Sequence, residues 1–451
     1  MTLSSSPAGY PAPAVQWGAV FVLLLLYAFA IIDRQIISLM VPMIRADLGI
    51  TDFQISLLQG LAFAILFCAF GLPLGYAVDR ISRRLVIFLG VLVWAIAATA
   101  CGLARSFPEL ITARFFVGVG EAALAPAAFS ILSDMFSAKR LTFAISVYSI
   151  GSLIGGAAAL SISGLIIDAT GHGFTLPFLS HLSPWQTTFV VTGAPGFLFA
   201  FLIFLIPEPA RRASRTVGGS WTDLWTFMNR HRRFFACHML GFSLVFAIAY
   251  ANIGWIPTYL MRTFGWSAGK AGPLLGLFNL SAGIASFIFS GLVVDWMLRR
   301  GYADAHLRFY VFAMIVCTIS GGLAFHASTP ALFFLTLLAG KVAVNMAAVA
   351  PAALQIVTPS ELRGRVSAIY LMATGLIGMP GGPSLVASLT DFVYRDDARI
   401  NLSMSTTYLI LGPIACVLFF FGMKPMREAL AARNAAEAAP LDAPLASERV
   451  P

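Results

Sequence analysis

The sequence predicts an all-α membrane protein of 12 transmembrane helices, arranged as two pseudo-symmetric six-helix bundles. Three observations predict it. Apolar residues make up 59% of the 451 and charged residues 11%, where a water-soluble chain carries roughly a quarter charged. Apolar runs recur near 17–42, 52–78, 85–104, 108–133, 141–168, 187–206, 233–261, 270–297, 308–326, 330–357, 366–391 and 405–423, each long enough to cross a bilayer as a helix. The second half also echoes the first. GYAVDRISRR from Gly75 returns as GLVVDWMLRR from Gly291, and PAAFSILSDMFSAKR ending at Arg140 returns as PAALQIVTPSELRGR ending at Arg365.

Taken in order, residues 1–16 form a disordered lead with no basic stretch and no cleavage site, so no cleaved signal peptide is expected. Residues 17–206 form the first bundle, TM1–6. The longest polar insertion, 207–232, is a cytoplasmic linker, and 233–423 form the second bundle, TM7–12. The Ala-rich charged tail 424–451 is expected to be a loosely ordered cytoplasmic helix or coil.

The formal charge of +9 invites a nucleic-acid reading. Its distribution argues against one. With both termini cytoplasmic, 20 of the 29 Lys and Arg residues fall inside and 6 outside, and Arg34, Arg114 and Lys341 lie within apolar runs. That excess is the positive-inside pattern of a multi-pass protein. The five cysteines all sit in apolar runs without metal-ligand spacing, as small buried hydrophobes. No arrangement suited to covalent chemistry, metal or cofactor occurs, so no enzyme is expected.

The loop Gly75–Arg84 packs a glycine, a carboxylate and three arginines into a few residues between two spans. Gly75 permits a close helix approach, Asp79 can pair across an interface, and Arg80, Arg83 and Arg84 hold the loop in the cytoplasm. Asp295 is the matching carboxylate of the second half.

Ionisable groups inside a bilayer are costly and need a reason. Helix 1 carries Asp33 and Arg34, helix 4 carries Arg114 and Glu121, and helix 10 carries Lys341 with Asn345 one turn on. Seven steps of about 100° bring Arg114 and Glu121 to one face, about 10 Å apart, with Asp33 at an intermediate depth on antiparallel helix 1. Two readings are open. The cluster is either a proton-coupling site, in which two carboxylates sharing an arginine titrate together, or a static buried salt bridge. Lys341 either meets an anionic headgroup or snorkels to a backbone carbonyl. Phe242, Phe246 and Tyr250 form a stripe on helix 7. It suits an acyl chain if it faces a cavity; facing lipid is the ordinary arrangement. Asp168 is expected to be solvated at the outer end of helix 5, and His238 to lie near the cytoplasmic interface.

GYAVDRISRR resembles the loop 2–3 signature of the major facilitator superfamily. IIDRQIISLM at Asp33, ARFFVGVGEAALAPAAFSILSDMF around Arg114 and Glu121, and YSIGSLIGG resemble its Spinster branch, which carries lysophospholipids and sphingosine 1-phosphate in animals. The resemblance implies a cavity between the bundles lined by helices 1, 4, 7 and 10. It also implies protonation at Asp33 and Glu121, Arg114 as their partner, and Arg34 near substrate. Lys341, Asn345, Phe246 and Tyr250 are further substrate-binding candidates.

The function expected is proton-coupled secondary active transport by alternating access. The partners are protons and an amphiphilic anionic lipid such as a lysolipid. The setting is a bacterial inner membrane and the protein a monomer. The runner-up is a proton symporter or exporter of a small organic anion or drug. A lipid scramblase or non-transporting receptor is the reading from a different class.

Overall fold

In lipid the backbone has no water to bond, so a spanning chain must satisfy its amides within helices or a closed barrel, and long apolar runs select helices. The computed structural model describes residues 10–171, 181–211, 220–344 and 346–438. The first six spans are α1 (Pro13–Leu39), α2 (Asp52–Val78), α3 (Arg83–Cys101), α4 (Phe107–Met135), α5 (Ala138–Gly171) and α6 (Pro184–Leu205). The second six are α7 (Arg232–Phe264), α8 (Ala268–Arg299), α9 (Ala305–Ala324), α10 (Pro330–Ala343 and Met346–Val357), α11 (Arg363–Tyr394) and α12 (Ile400–Ala438). Among the described residues eleven helices are long and apolar enough to cross a membrane unbroken. The twelfth, α10, is interrupted at Val344, whose φ of −111° and ψ of 95° leave the helical region.

Changes of winding recur in the first bundle, where α6 also tightens into a 3-10 helix over Ala200–Leu205, and three of them lie in the helices around the buried charges. After Gln35, α1 tightens into a 3-10 turn over Ile36–Leu39. In α2 a π-turn spans Leu57–Leu61, behind an N-terminal capping box of Thr51 with Gln54. In α4 the helix breaks after Glu121 and resumes at Leu124. Such irregular turns disturb the regular amide ladder and often mark functional sites.

Across the two bundles, α2 packs on α11 and α5 on α8. Small residues let backbones touch there: a Cβ at Gly60 would lie 2.6 Å from Pro380 Cα. Between described residues, the hydrogen bonds and ion pairs joining the bundles all lie toward the end opposite the arginine-rich loops. Asp52, fully buried, accepts from Arg262 Nη1 and Nη2 at 2.7 and 2.8 Å. Arg45 Nη1 lies 3.1 Å from Asp52 and donates to Asp397 at 2.5 Å, and the Phe53 amide donates to Asp391 at 2.7 Å. Three carboxylates converge here, where Arg45 and Arg262 pair with Asp52 and Asp397 and the Phe53 amide serves Asp391. At the basic end the situation is reversed: a Cβ at Gly75 or at Gly291 would meet nothing within 4 Å. The close approach expected at Gly75 is therefore not made in this conformation, because the bundles are splayed at that end.

The tail is better ordered than expected as far as Ala438. Met426 and Ala429 are buried, Arg427 pairs with buried Asp304, and Arg433 donates to the Ile356 carbonyl at 2.6 Å. At the other terminus α1 already begins at Pro13, within the expected lead.

Candidate functional site

Arg114 and Glu121 stand on α4 behind α1, and both are buried. The expected triad of Asp33, Arg114 and Glu121 is rearranged. Arg114 donates to three backbone carbonyls, those of Leu58 (3.2 Å), Asp33 (3.0 Å) and Arg34 (3.3 Å). Two of these are on α1 just before its 3-10 turn and one is in the π-turn of α2. A guanidinium with five donors in a planar fork suits such a convergence. The hydrogen-bonded partner of Glu121 is Arg34, whose Nε and Nη2 reach Oε2 at 3.1 and 2.5 Å. Arg34 also lies over the Phe63 ring at 4.4 Å and the Phe67 ring at 5.3 Å, where a desolvated cation gains from the ring quadrupole. Asp33, 2% exposed, has neither carboxylate oxygen hydrogen-bonded, and Glu121 Oε1 is likewise unpartnered.

Between the bundles lies a cavity of about 390 Å³. Its polar wall is made by Gln35 of α1, Ser152 of α5, Asn252 of α7, Asn279 and Ser286 of α8, Lys341 of α10 and Tyr408 of α12. Val245, Phe246, Ile248 and Ile253 give it an apolar side. So α5, α8 and α12 contribute as well as α1, α7 and α10, whereas no described α4 residue lines it. The helix 7 stripe divides. Phe246 and Tyr250, ring centroids 5.0 Å apart, face the cavity, while Phe242 is buried against His238, Tyr310 and Phe419. Tyr250 also borders a small cleft reaching Arg34 and Gln35, which links the ion pair to the cavity.

Lys341 Nζ donates to Asn279 Oδ1 at 2.6 Å and sits 5.7 Å from the Phe278 ring. No described carboxylate pairs with it. Asn345 lies outside the described residues. Asn252 and Tyr408, passed over in the sequence, form a buried reciprocal pair at 2.6 and 2.9 Å. A lone Asn in an apolar run was the only signal for them. His238 is a core residue with its Nε2 3.0 Å from the Ala350 carbonyl, and Asp168 is half-buried against Gly269 instead of solvated.

At the basic end, Arg83 is buried and ties its own bundle together. It bonds Asp134 at the end of α4, Glu208 at 2.8 Å after α6, and the Pro209 carbonyl. Arg84 donates to the Ile206 carbonyl at 3.1 Å, and Arg80 stacks 3.4 Å over Tyr76. Burial alone would raise the Glu208 carboxyl, but hydrogen bonds from Arg83, Ser82 and two backbone amides pull it down to about 2. Asp79 and Asp295 are exposed and form no ion pair with a described residue. The tethered carboxylate of the second bundle is Asp304, held by Arg308 and Arg427.

Several known proteins are similar. The "MFS-type efflux pump" of Mycolicibacterium smegmatis is 26% identical over 393 residues, 85% of this chain and 86% of the relative. "Protein spinster homolog 3" of Danio rerio is 26% identical over 396 residues, 83% and 76% of the two chains. A crystal structure of a bacterial homologue of the human lysosomal transporter Spinster, inward-facing and unoccupied, superposes with a TM-score of 0.81 at 22% identity, covering 93% of this chain and 99% of that one. At that identity the likeness concerns the fold. The family described as Major Facilitator Superfamily matches residues 23–383, so this multi-pass membrane protein belongs to the major facilitator superfamily and is a transporter, not an enzyme.

Proposed function

We propose that the protein is a proton-coupled, alternating-access transporter of an amphiphilic anion, a lysolipid or similar single-chain lipid. The observation that carries this reading is Lys341: an ammonium in the cavity wall, held by a neutral Asn279 and without a carboxylate partner among the described residues, beside an apolar face containing Phe246. A cation so placed, with apolar surface next to it, binds a molecule that is anionic at one end and apolar along the rest. Proton coupling is supported by Asp33 and Glu121. An unpartnered carboxyl at this depth is suited to exchanging a proton, and neutralising Glu121 releases Arg34 toward the cleft at Tyr250. The basic end is the cytoplasmic end, both termini lie there, and the membrane is a bacterial inner membrane crossed by a monomer. The conformation described is then inward-open. Asp79 enters when the cytoplasmic end closes, pairing across the bundles to hold the outward-open form, while the Asp52–Arg262 lattice opens.

The test uses protein reconstituted in liposomes with a fluorescent lysolipid under an imposed pH gradient. Movement driven by the gradient in wild type, lost in Glu121→Gln and weakened in Lys341→Met, supports the reading. Gradient-independent movement would favour a scramblase. A second reading, a small organic anion, is favoured by the polar wall of Asn252, Asn279, Ser286 and Tyr408. Movement of a small carboxylate but not of the lysolipid would select it.

A further inference from the structure

The segment between the bundles carries a feature that transport leaves unused. Trp221–Arg230 is a helix, opened by a capping box of Ser220 with Asp223, that lies on the start of α7. Its packed side is well made: Leu224 is fully buried, and the Phe227 and Phe235 rings meet at 5.6 Å. On the other side Trp221 and Trp225, one turn apart, are each 58% exposed. Beside Trp225 an open groove of about 590 Å³ runs along α7. Met228, Phe235 and Met239 make its floor, and Arg232 and Asn229 stand in its wall.

Charge completes the picture. Arg230, Arg232 and Arg233 are all exposed, and none is paired with a described carboxylate. Indole rings settle at the headgroup level of a bilayer, where one edge is polar and the face is apolar. The floor from Phe235 to Met239 descends along a membrane span, so the groove runs from headgroup depth toward the hydrocarbon. Cations above, indoles at the rim and an apolar track below match the order of groups in a phospholipid with a net negative headgroup.

We propose that this groove binds one anionic phospholipid, its phosphate on Arg232 with Arg230 or Arg233 and an acyl chain along Phe235 and Met239. The orientation proposed above decides only which leaflet supplies it, the cytoplasmic one. The bound lipid would seat the linker helix on the base of α7, the helix that carries Phe246, Tyr250 and Asn252 to the cavity.

The test is tryptophan quenching by lipids brominated in the acyl chain, added to the purified full chain in mild detergent. Subtracting the signal of Trp221→Phe/Trp225→Phe isolates these two rings among the eight tryptophans. Brominated phosphatidylglycerol should quench that component saturably, at about tenfold lower concentration than brominated phosphatidylcholine. Arg230→Gln/Arg232→Gln/Arg233→Gln should abolish the difference while leaving thermal unfolding of the detergent-solubilised protein unchanged. Equal quenching by the two lipids would overturn the proposal, as would a preference that survives removal of the arginines. So would quenching by neither lipid, which would leave this face to a protein partner. Because the readout is binding, failure of the lysolipid transport assay leaves this test intact.

Discussion

Arg34 donates twice to one oxygen of Glu121, at 3.1 and 2.5 Å, while its chain neighbour Asp33 keeps both carboxylate oxygens unpartnered. One step along a helix turns a side chain by about 100°, so the two neighbours meet different surroundings. Arg34 faces Phe63, Phe67 and Glu121, whereas the Asp33 carboxyl is buried on the packed side of α1. The division assigns pairing to one residue and leaves the other available.

Replacing Glu121 by Gln removes the charge that holds Arg34 and keeps the volume. Flux driven by a pH gradient should fall to background in liposomes, while exchange of substrate across a membrane without a gradient persists. Unchanged gradient-driven flux would remove Glu121 from the coupling mechanism.

Arg114 has a structural task that can be separated from transport. Its three bonds go to buried carbonyls at two changes of winding, and each is worth about 1 kcal/mol net. Arg114→Leu should therefore destabilise the first bundle by about 3 kcal/mol. The check is the melting temperature in detergent, with Arg114→Lys recovering only part of the loss because it lacks the fork.

The lattice around Asp52 holds the bundles together at one end. Removing that charge with Asp52→Asn leaves Arg262 and Arg45 without their shared partner. The closed arrangement should lose about 2 kcal/mol, roughly a thirtyfold change in the open-to-closed ratio. Spin labels near Phe53 and Phe392, whose rings are now 5.6 Å apart, should report a longer distance population. An unaltered distance distribution would mean that the ion pairs are dispensable there.

Gly75 and Gly291 face open space, so a larger side chain is tolerated in this conformation. Gly75→Leu should preserve the melting temperature and yet slow turnover severely, because α2 can no longer close against the opposite bundle. Full turnover would show that the basic end does not close at Gly75.

The pairing of Glu208 with Arg83 sets a pH dependence with a definite sign. The carboxyl titrates at about 2 in the folded protein against an ordinary 4.5. A depressed acid stabilises the fold fully above its unfolded value and loses that contribution as pH falls through the folded one. The difference in melting temperature between wild type and Glu208→Gln should be constant from pH 5 to pH 8. Below 4.5 it should shrink, vanishing near 2. A difference that grows on acidification would contradict the pairing.

Much of this protein was legible from residue order. The apolar runs placed the spans because a run of about 20 apolar residues crosses a bilayer as a helix, and the repeat of Gly75 at Gly291 exposed the two bundles. The buried charges Asp33, Arg34, Arg114, Glu121 and Lys341 were visible as exceptions to that apolarity. What they bond to was not. Spacing along one helix fixes which residues share a face, but Arg114 turned to carbonyls that became reachable only where α1 and α2 change winding.

The same limit explains the Asp52 lattice and the cavity. Arg45, Asp52, Arg262 and Asp397 are spread over 352 positions, and each alone is an ordinary loop charge. Phe246 and Tyr250 could have faced lipid or cavity, since both surfaces accept an aromatic ring. Composition and periodicity by themselves determined that the chain spans a membrane twelve times in two related halves. Only the tertiary structure decided which charges pair and which aromatics line the cavity. It also decided which end is closed, because those depend on contacts between helices far apart in sequence.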